Sequence, residues 1–171
     1  MNRTGLMAHE ITAFVAASTA EMMEMVLPND ANILGNILGG KVMHLVDICA
    51  ATAAARHCRR PVVTASIDYL EFHHPIKVGE MIIVKAALNR AFTTSMEIGA
   101  KVWSENLLTG ARQHTSSAYL TFVALDDHGR PTQVPPYQPV TPEETRRWHE
   151  AKIRREHRLV IKARLSQSKV E

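Results

Sequence analysis

The sequence predicts an α+β domain in which one antiparallel sheet wraps around a long central helix, with an additional C-terminal helix. Three observations carry this. One uninterrupted helical stretch of small and apolar residues, rich in Ala, lies early in the chain, four strand-like segments follow it, and a charged helix closes the chain after a proline-rich crossing. One sheet and one apolar helix bury each other in a two-layer packing. Short links between the strand segments suit antiparallel neighbours.

At 171 residues the chain suits one domain and can bury a core without disulfides or metals. Hydrophobic residues make up 46%, which excludes a disordered class, and aromatics only 5%, so the core is aliphatic. Cys49 and Cys58 are the only cysteines and form no C-x-x-C pair, so a reducing cytoplasmic compartment is expected. Residues 1–10 read as a loose leader without a signal-peptide h-region, and no apolar run approaches a membrane span. The formal charge of +3 tolerates polyanionic ligands but selects no partner.

A short strand is expected at about 19–27, ended by Pro28. A loop of turn formers follows: Pro28, Asn29, Asp30, Asn32, Gly35, Asn36, Gly39 and Gly40. The helix spans 39 to about 58 and is apolar nearly all round, which predicts burial on every side. Arg56, His57, Arg59 and Arg60 give it a cationic C-terminal end, and Pro61 stops it. Strands are expected at 62–73, 81–88, 95–104 and 112–126. In the third of these, Met96, Ile98, Ala100 and Val102 fall on one face, with Glu97, Lys101 and Trp103 on the other. Thr141, Pro142 and Glu144 then form a capping box with proline at the first helical position, opening a helix to about residue 162. The domain proper covers 1–140, and the basic helix and tail 141–171.

Helical spacing places Asp47 in a row with Gly40, Met43, Ala50, Ala51 and Ala54. An acid in such a row is costly unless paired, and desolvation there suits a general base or nucleophile. Pairing with His44, or exposure at a subunit seam, would also account for it. Asn32 can donate to a carbonyl or hold a water, although asparagine also favours such loops for their turn chemistry. Gly39 and Gly40 open the helix, whose unpaired amides can polarise a carbonyl; a plain turn and N-cap is the simpler reading. Thr64 could orient a carboxylate or water, or be an ordinary strand residue. Arg90, Thr93, Thr94 and Ser95 form a turn that could hold phosphate or pantetheine, or a common polar hairpin tip. His73 and His74 lack a third metal ligand at a convincing spacing, so no metal is assigned.

These pieces resemble, in order, the acyl-CoA hydrolase family of hotdog-fold thioesterases, which includes the brain-type acyl-CoA hydrolases and their bacterial relatives. The matching stretches are PNDANILGNILGGKVMHLVDICAATAAARHC, VVTASIDYLEFHHPIKVGE, TTSMEIGAKVW and SSAYLTFVALDDHGRPTQVP, together covering roughly residues 19–140. The basic terminal helix is similar to the tail of the brain-type members. The resemblance implies hydrolysis of fatty acyl-CoA to free acid and CoA. The family's catalytic asparagine falls on Asn32, its aspartate on Asp47, a supporting threonine on Thr64, and its helix N-terminus on Gly39 and Gly40. Ile48 departs from the pattern, since many members carry a second acid there. The resemblance further implies no cofactor beyond coenzyme A in substrate and product, and a homo-oligomer, either a dimer or a trimer of dimers.

Three rival readings compete. A hotdog dehydratase would use a histidine beside an acid, and His44 lies one turn from Asp47 but off its face. A non-catalytic CoA-binding module would not need Asp47 and Asn32 together. Nucleic-acid binding through the basic tail is set against Glu143, Glu144, Glu150 and Glu156 in the same helix, which read as a solvated surface, so no nucleic-acid partner is expected.

Overall fold

The computed structural model describes residues 18–167; the expected leader at 1–10 lies outside them. Five strands form one antiparallel sheet: β1 (Thr19–Met25), β2 (Val62–Phe72), β3 (Met81–Ala91), β4 (Ser95–Glu105) and β5 (Arg112–Ala124). Helix α1 (Gly39–Cys58) packs on one face and touches all five strands. Helix α2 (Pro142–Gln167) crosses the other face, running about a turn further than expected.

The strand order is β1-β3-β4-β5-β2. The hairpins β3–β4 and β4–β5 follow the expectation of adjacent neighbours, but β2 and β3 do not pair. β2 pairs with β5 at one edge and β1 with β3 at the other. The link between β2 and β3 is therefore a crossing over the start of α1. It is fastened by Ile37 N–H to Ile76 C=O (2.8 Å), Val78 N–H to Gly35 C=O (3.0 Å) and Gly79 N–H to Val26 C=O (2.9 Å).

The core lies between α1 and the sheet. Val42, Leu45, Val46, Cys49, Ala50, Ala53 and Ala54 face Val84, Met96, Ile98, Leu120 and Phe122. α1 is not covered on every side, however. Met43 and Ile48 are exposed and Asp47 is half-buried, because five strands of one chain wrap only part of the helix. The α1 terminus is closed by Arg59 in the left-handed region (φ 53°), whose N–H bonds Ala55 C=O. His57 does not add a cation there. It is buried between Ser18 Oγ (3.0 Å from Nδ1) and the Pro135 carbonyl (2.9 Å from Nε2). The carbonyl can only accept, so Nε2 carries the hydrogen and Nδ1 accepts from Ser18. Burial pushes the His57 pKa down.

The capping box at α2 forms as expected. Glu144 N–H donates to Thr141 Oγ1 (3.2 Å), and Glu144 Oε2 accepts from Thr141 N–H (2.9 Å). Burial raises the Glu144 pKa, but these bonds outweigh it and hold the carboxyl below its ordinary value. Helix α2 is not merely solvated. Arg154 reaches Glu97 at 2.7 Å and Arg158 bonds Asp68. Glu97, on the face opposite Met96 and Ile98 as expected, is fully buried under α2 and also accepts from Asn89 Nδ2 (3.0 Å).

Candidate active site

Asp47 and Thr64 meet. The Thr64 hydroxyl donates to Asp47 Oδ1 at 2.7 Å, so the aspartate partners β2 and not His44. The contact depends on irregular pairing in β2. Thr64 pairs with Phe122, a core residue, whereas Asp68 pairs with Tyr119 on the opposite face. Residues four apart in a regular strand share a face. The register shift between Thr64 and Ser66 breaks that parity, turning Thr64 toward α1 and Asp68 toward Arg158. Asp47, Met43 and Ile48 of α1 thus share an open surface, with exposed Ile67 on the same face of β2.

Asn32 occupies a different place. Its Oδ1 accepts from Leu34 N–H (2.9 Å) and Asn36 N–H (3.3 Å), and its main chain bonds Asn36 and Gly35. Gly35, at φ 76°, supplies the left-handed turn this loop needs. Turn chemistry therefore uses one end of the amide, while Nδ2 makes no bond among the described residues. Asn32 lines a cleft of about 340 Å³ with Gly39, Phe72, His73 and Ser116. The buried Ser116 hydroxyl also lacks a partner among the described residues; nothing in the alternation of β5 marked it. No side chain caps α1, so the first amides of the helix, those of Gly39 and Gly40, carry its unsatisfied N–H groups. A Cβ at Gly40 would meet nothing within 4 Å, so this chain's own packing does not require glycine there.

Asp47 and Thr64 do not line the Asn32 cleft. Gly39 and Asp47 are eight residues apart on one helix, about 12 Å at about 1.5 Å per residue. One chain thus holds an acid–hydroxyl pair and, separately, a cleft of hydrogen-bond donors.

Arg90 is committed elsewhere. Its guanidinium lies 3.4 Å from the Trp148 ring centre and donates to Trp148 C=O at 3.1 Å. It fastens α2, so it is not a free cation at the hairpin tip, and burial lowers its pKa. Thr93, Thr94 and Ser95 do form the tip, which is held by Phe92 N–H to Ser95 C=O (2.8 Å), Ala124 N–H to Thr94 C=O (3.1 Å) and Val134 N–H to Thr93 C=O (2.9 Å). His73 and His74 sit at the end of β2; His73 lies 3.8 Å from Glu71, and no cluster of three His, Cys, Asp or Glu exists among the described residues. A larger groove of about 630 Å³ lies on the α2 side of the sheet and contains none of the candidate residues. Most of its cations are already paired, as Lys85 is with Glu21 (3.1 Å) and Arg146 with Glu150 (2.7 Å).

Comparison with known proteins places the chain in a family. Residues 34–111 match the Thioesterase superfamily. The chain is 39% identical over 153 residues to an uncharacterized acyl-CoA thioester hydrolase, YkhA, of Bacillus subtilis, covering 85% of this chain and 89% of that one. The apo structure of a hexameric acyl-CoA thioesterase superposes with a TM-score of 0.84 at 41% identity, covering 87% of this chain and 96% of that one. An acyl-CoA hydrolase of Staphylococcus aureus, solved with butyryl-CoA and CoA, superposes with a TM-score of 0.83 at 32% identity, covering 90% and 94%. That enzyme has also been solved with an asparagine, an aspartate and a threonine each changed to alanine, and these are separated by 15 and 17 residues, as are Asn32, Asp47 and Thr64 here. With a hotdog sheet wrapped on α1 and these relatives along most of its length, the chain belongs to the acyl-CoA thioester hydrolases of the thioesterase superfamily.

Proposed function

We propose that the chain hydrolyses fatty acyl-CoA thioesters at a site shared between two copies, Asn32, Gly39 and Gly40 coming from one copy and Asp47 and Thr64 from the other. The observation that carries this reading is the separation of the two half-sites in one chain, each left open on the side where a second copy would stand. Edge strand β2 supports the same arrangement. It exposes Ile67 and Phe72 on the face that carries α1, beside the uncovered Met43 and Ile48, an apolar surface that pairing with a second copy would cover.

In this mechanism the thioester carbonyl oxygen accepts from the Gly40 or Gly39 amide, where negative charge develops. Thr64 holds one oxygen of Asp47. The other oxygen takes a proton from water as the water oxygen attacks the carbonyl carbon, and the CoA thiolate leaves. Attack by the carboxylate itself, forming an anhydride that water then opens, uses the same atoms. The Asn32 amide orients the water or the thioester. Coenzyme A is part of substrate and product, and each step is assigned to side chains or amides of this chain. Thr93, Thr94 and Ser95 remain the proposed contacts for the phosphate or pantetheine of CoA, without Arg90. The assembly is proposed to be a dimer or a trimer of dimers. Two free, buried cysteines support a cytoplasmic setting, and no described helix is long and apolar enough to cross a membrane.

Release of free thiol from acyl-CoA across a series of chain lengths tests the activity. Asp47→Ala should nearly abolish turnover while the protein still folds, because the change removes the proton acceptor and no core packing. Near wild-type turnover by folded Asp47→Ala would overturn the mechanism.

A further inference from the structure

Helix α2 crosses the sheet strand by strand. Arg90 of β3 lies against Trp148, Arg154 meets Glu97 of β4 and the ring of Tyr119 on β5, and Arg158 bonds Asp68 of β2. Trp148 and Arg158 are ten residues apart, about 15 Å of helix. The three strand-to-strand steps beneath them span about 14 Å. The helix is therefore nearly perpendicular to the strands, and its outermost ion pair is on the edge strand. Residues 159–167 carry it onward by about 13 Å.

All of these last residues are exposed, including Leu159 and Val160 at 50% and Ile161 at 58%. Ala151, Arg154 and Arg158 make up the row that faces the sheet. Steps of three and four residues continue it through Ile161 and Leu165, so the same face becomes apolar where the chain's own sheet ends. From His157 to Gln167 there is no acid, whereas Lys162 and Arg164 are basic.

We infer that the overhang is a strap between two copies: residues 159–167 of one chain lie across the outer sheet face of a second, over its β2 and β5. This rests on the edge-to-edge reading of β2 given above. A reach of about 13 Å covers two to three strand spacings beyond the edge, where a second copy paired through β2 would place those strands. The outer face of β2 offers an apolar contact for this face, exposed Val63, which would meet Ile161. Two-fold symmetry makes each copy give one strap and receive one.

The test compares three proteins: the intact chain, a chain ended after Arg158, and full-length Ile161→Asp. The second variant retains the whole helix and every tie to its own sheet, which guards against a folding failure in the first. Subunit exchange between isotopically light and heavy oligomers is followed by native mass spectrometry, and hydrogen exchange is read at residues 159–167. Exchange of subunits should be about tenfold faster or more in both variants, equivalent to about 1.4 kcal/mol. Amides at 159–167 should be protected in the intact oligomer and lose that protection in Ile161→Asp. Unchanged subunit exchange together with unprotected amides overturns the strap. Protection that appears only on adding vesicles containing phosphatidylglycerol also overturns it and assigns the overhang to a lipid surface. An intact chain of monomer mass at all concentrations defeats the edge-pairing reading itself, and the strap with it.

Discussion

At the residue scale, the Asp47–Thr64 bond follows from one irregularity in an edge strand. Without the shift between Thr64 and Ser66, Thr64 and Asp68 would share a face, and one would lose either α1 or α2. The hydroxyl donates to a carboxylate across an exposed surface, where water can replace it, so the bond orients Asp47 more than it stabilises the fold. Thr64→Val keeps the shape and removes the donor. It should lower kcat by about tenfold or more with little change in melting temperature, and Thr64→Ser should restore most of the rate. Equal kcat values for wild type and Thr64→Val would show that Thr64 does not position Asp47. His57 makes a different prediction. Burial lowers its pKa from the ordinary value near 6.5. Above that value the ring is neutral in both folded and unfolded chains. As the pH falls through it, the unfolded chain binds a proton that the folded chain refuses, so stability declines until the lowered folded value is reached. Thermal unfolding at pH 7.5 and 5.5 should show a larger loss for wild type than for His57→Gln; parallel losses would contradict this sign.

At the scale of elements, legibility follows how each boundary is marked. The ends of α1 were readable because both carry chemistry: a double glycine at one, and Arg59 before Pro61 at the other. The capping box marked α2 equally well. The edge position of β2 was hidden, because the link 73–80 has the length of an ordinary loop and only long-range bonds to Gly35, Ile37 and Val26 make it a crossing. Alternation in β4 gave the correct faces but not the burial of Glu97, since the outer face is covered by a helix some fifty residues further on. That burial has an energetic consequence. Glu97 is fully buried and Arg154 is its charge partner. Arg154→Met leaves the carboxylate uncompensated and should destabilise the fold by about 3 kcal/mol in urea denaturation. The double change Arg154→Met with Glu97→Gln should recover part of the loss. If the single change costs less than about 1 kcal/mol, the pair does not anchor α2.

At the scale of the whole molecule, the candidate residues could be singled out one by one, but their grouping could not be read. Asn32, Asp47 and Thr64 could each be singled out, yet no local pattern states that Asp47 pairs with Thr64 while Asn32 belongs to another cleft. The separation becomes meaningful if two copies complete each other, and this can be tested without a structure of the assembly. Asn32→Ala and Asp47→Ala should each be nearly inactive as pure oligomers. In a mixed dimer, one site combines both altered residues and stays dead, and the other combines an intact Asn32 from one copy with an intact Asp47 from its partner. Random equal assembly makes about half of the dimers mixed, each with one good site of two, so activity should approach about a quarter of wild type. Co-expression supplies the mixing, and native mass spectrometry verifies it. Mixed oligomers of confirmed mass with no activity above the parents would place Asn32 and Asp47 in the same chain's site and end the shared-site mechanism.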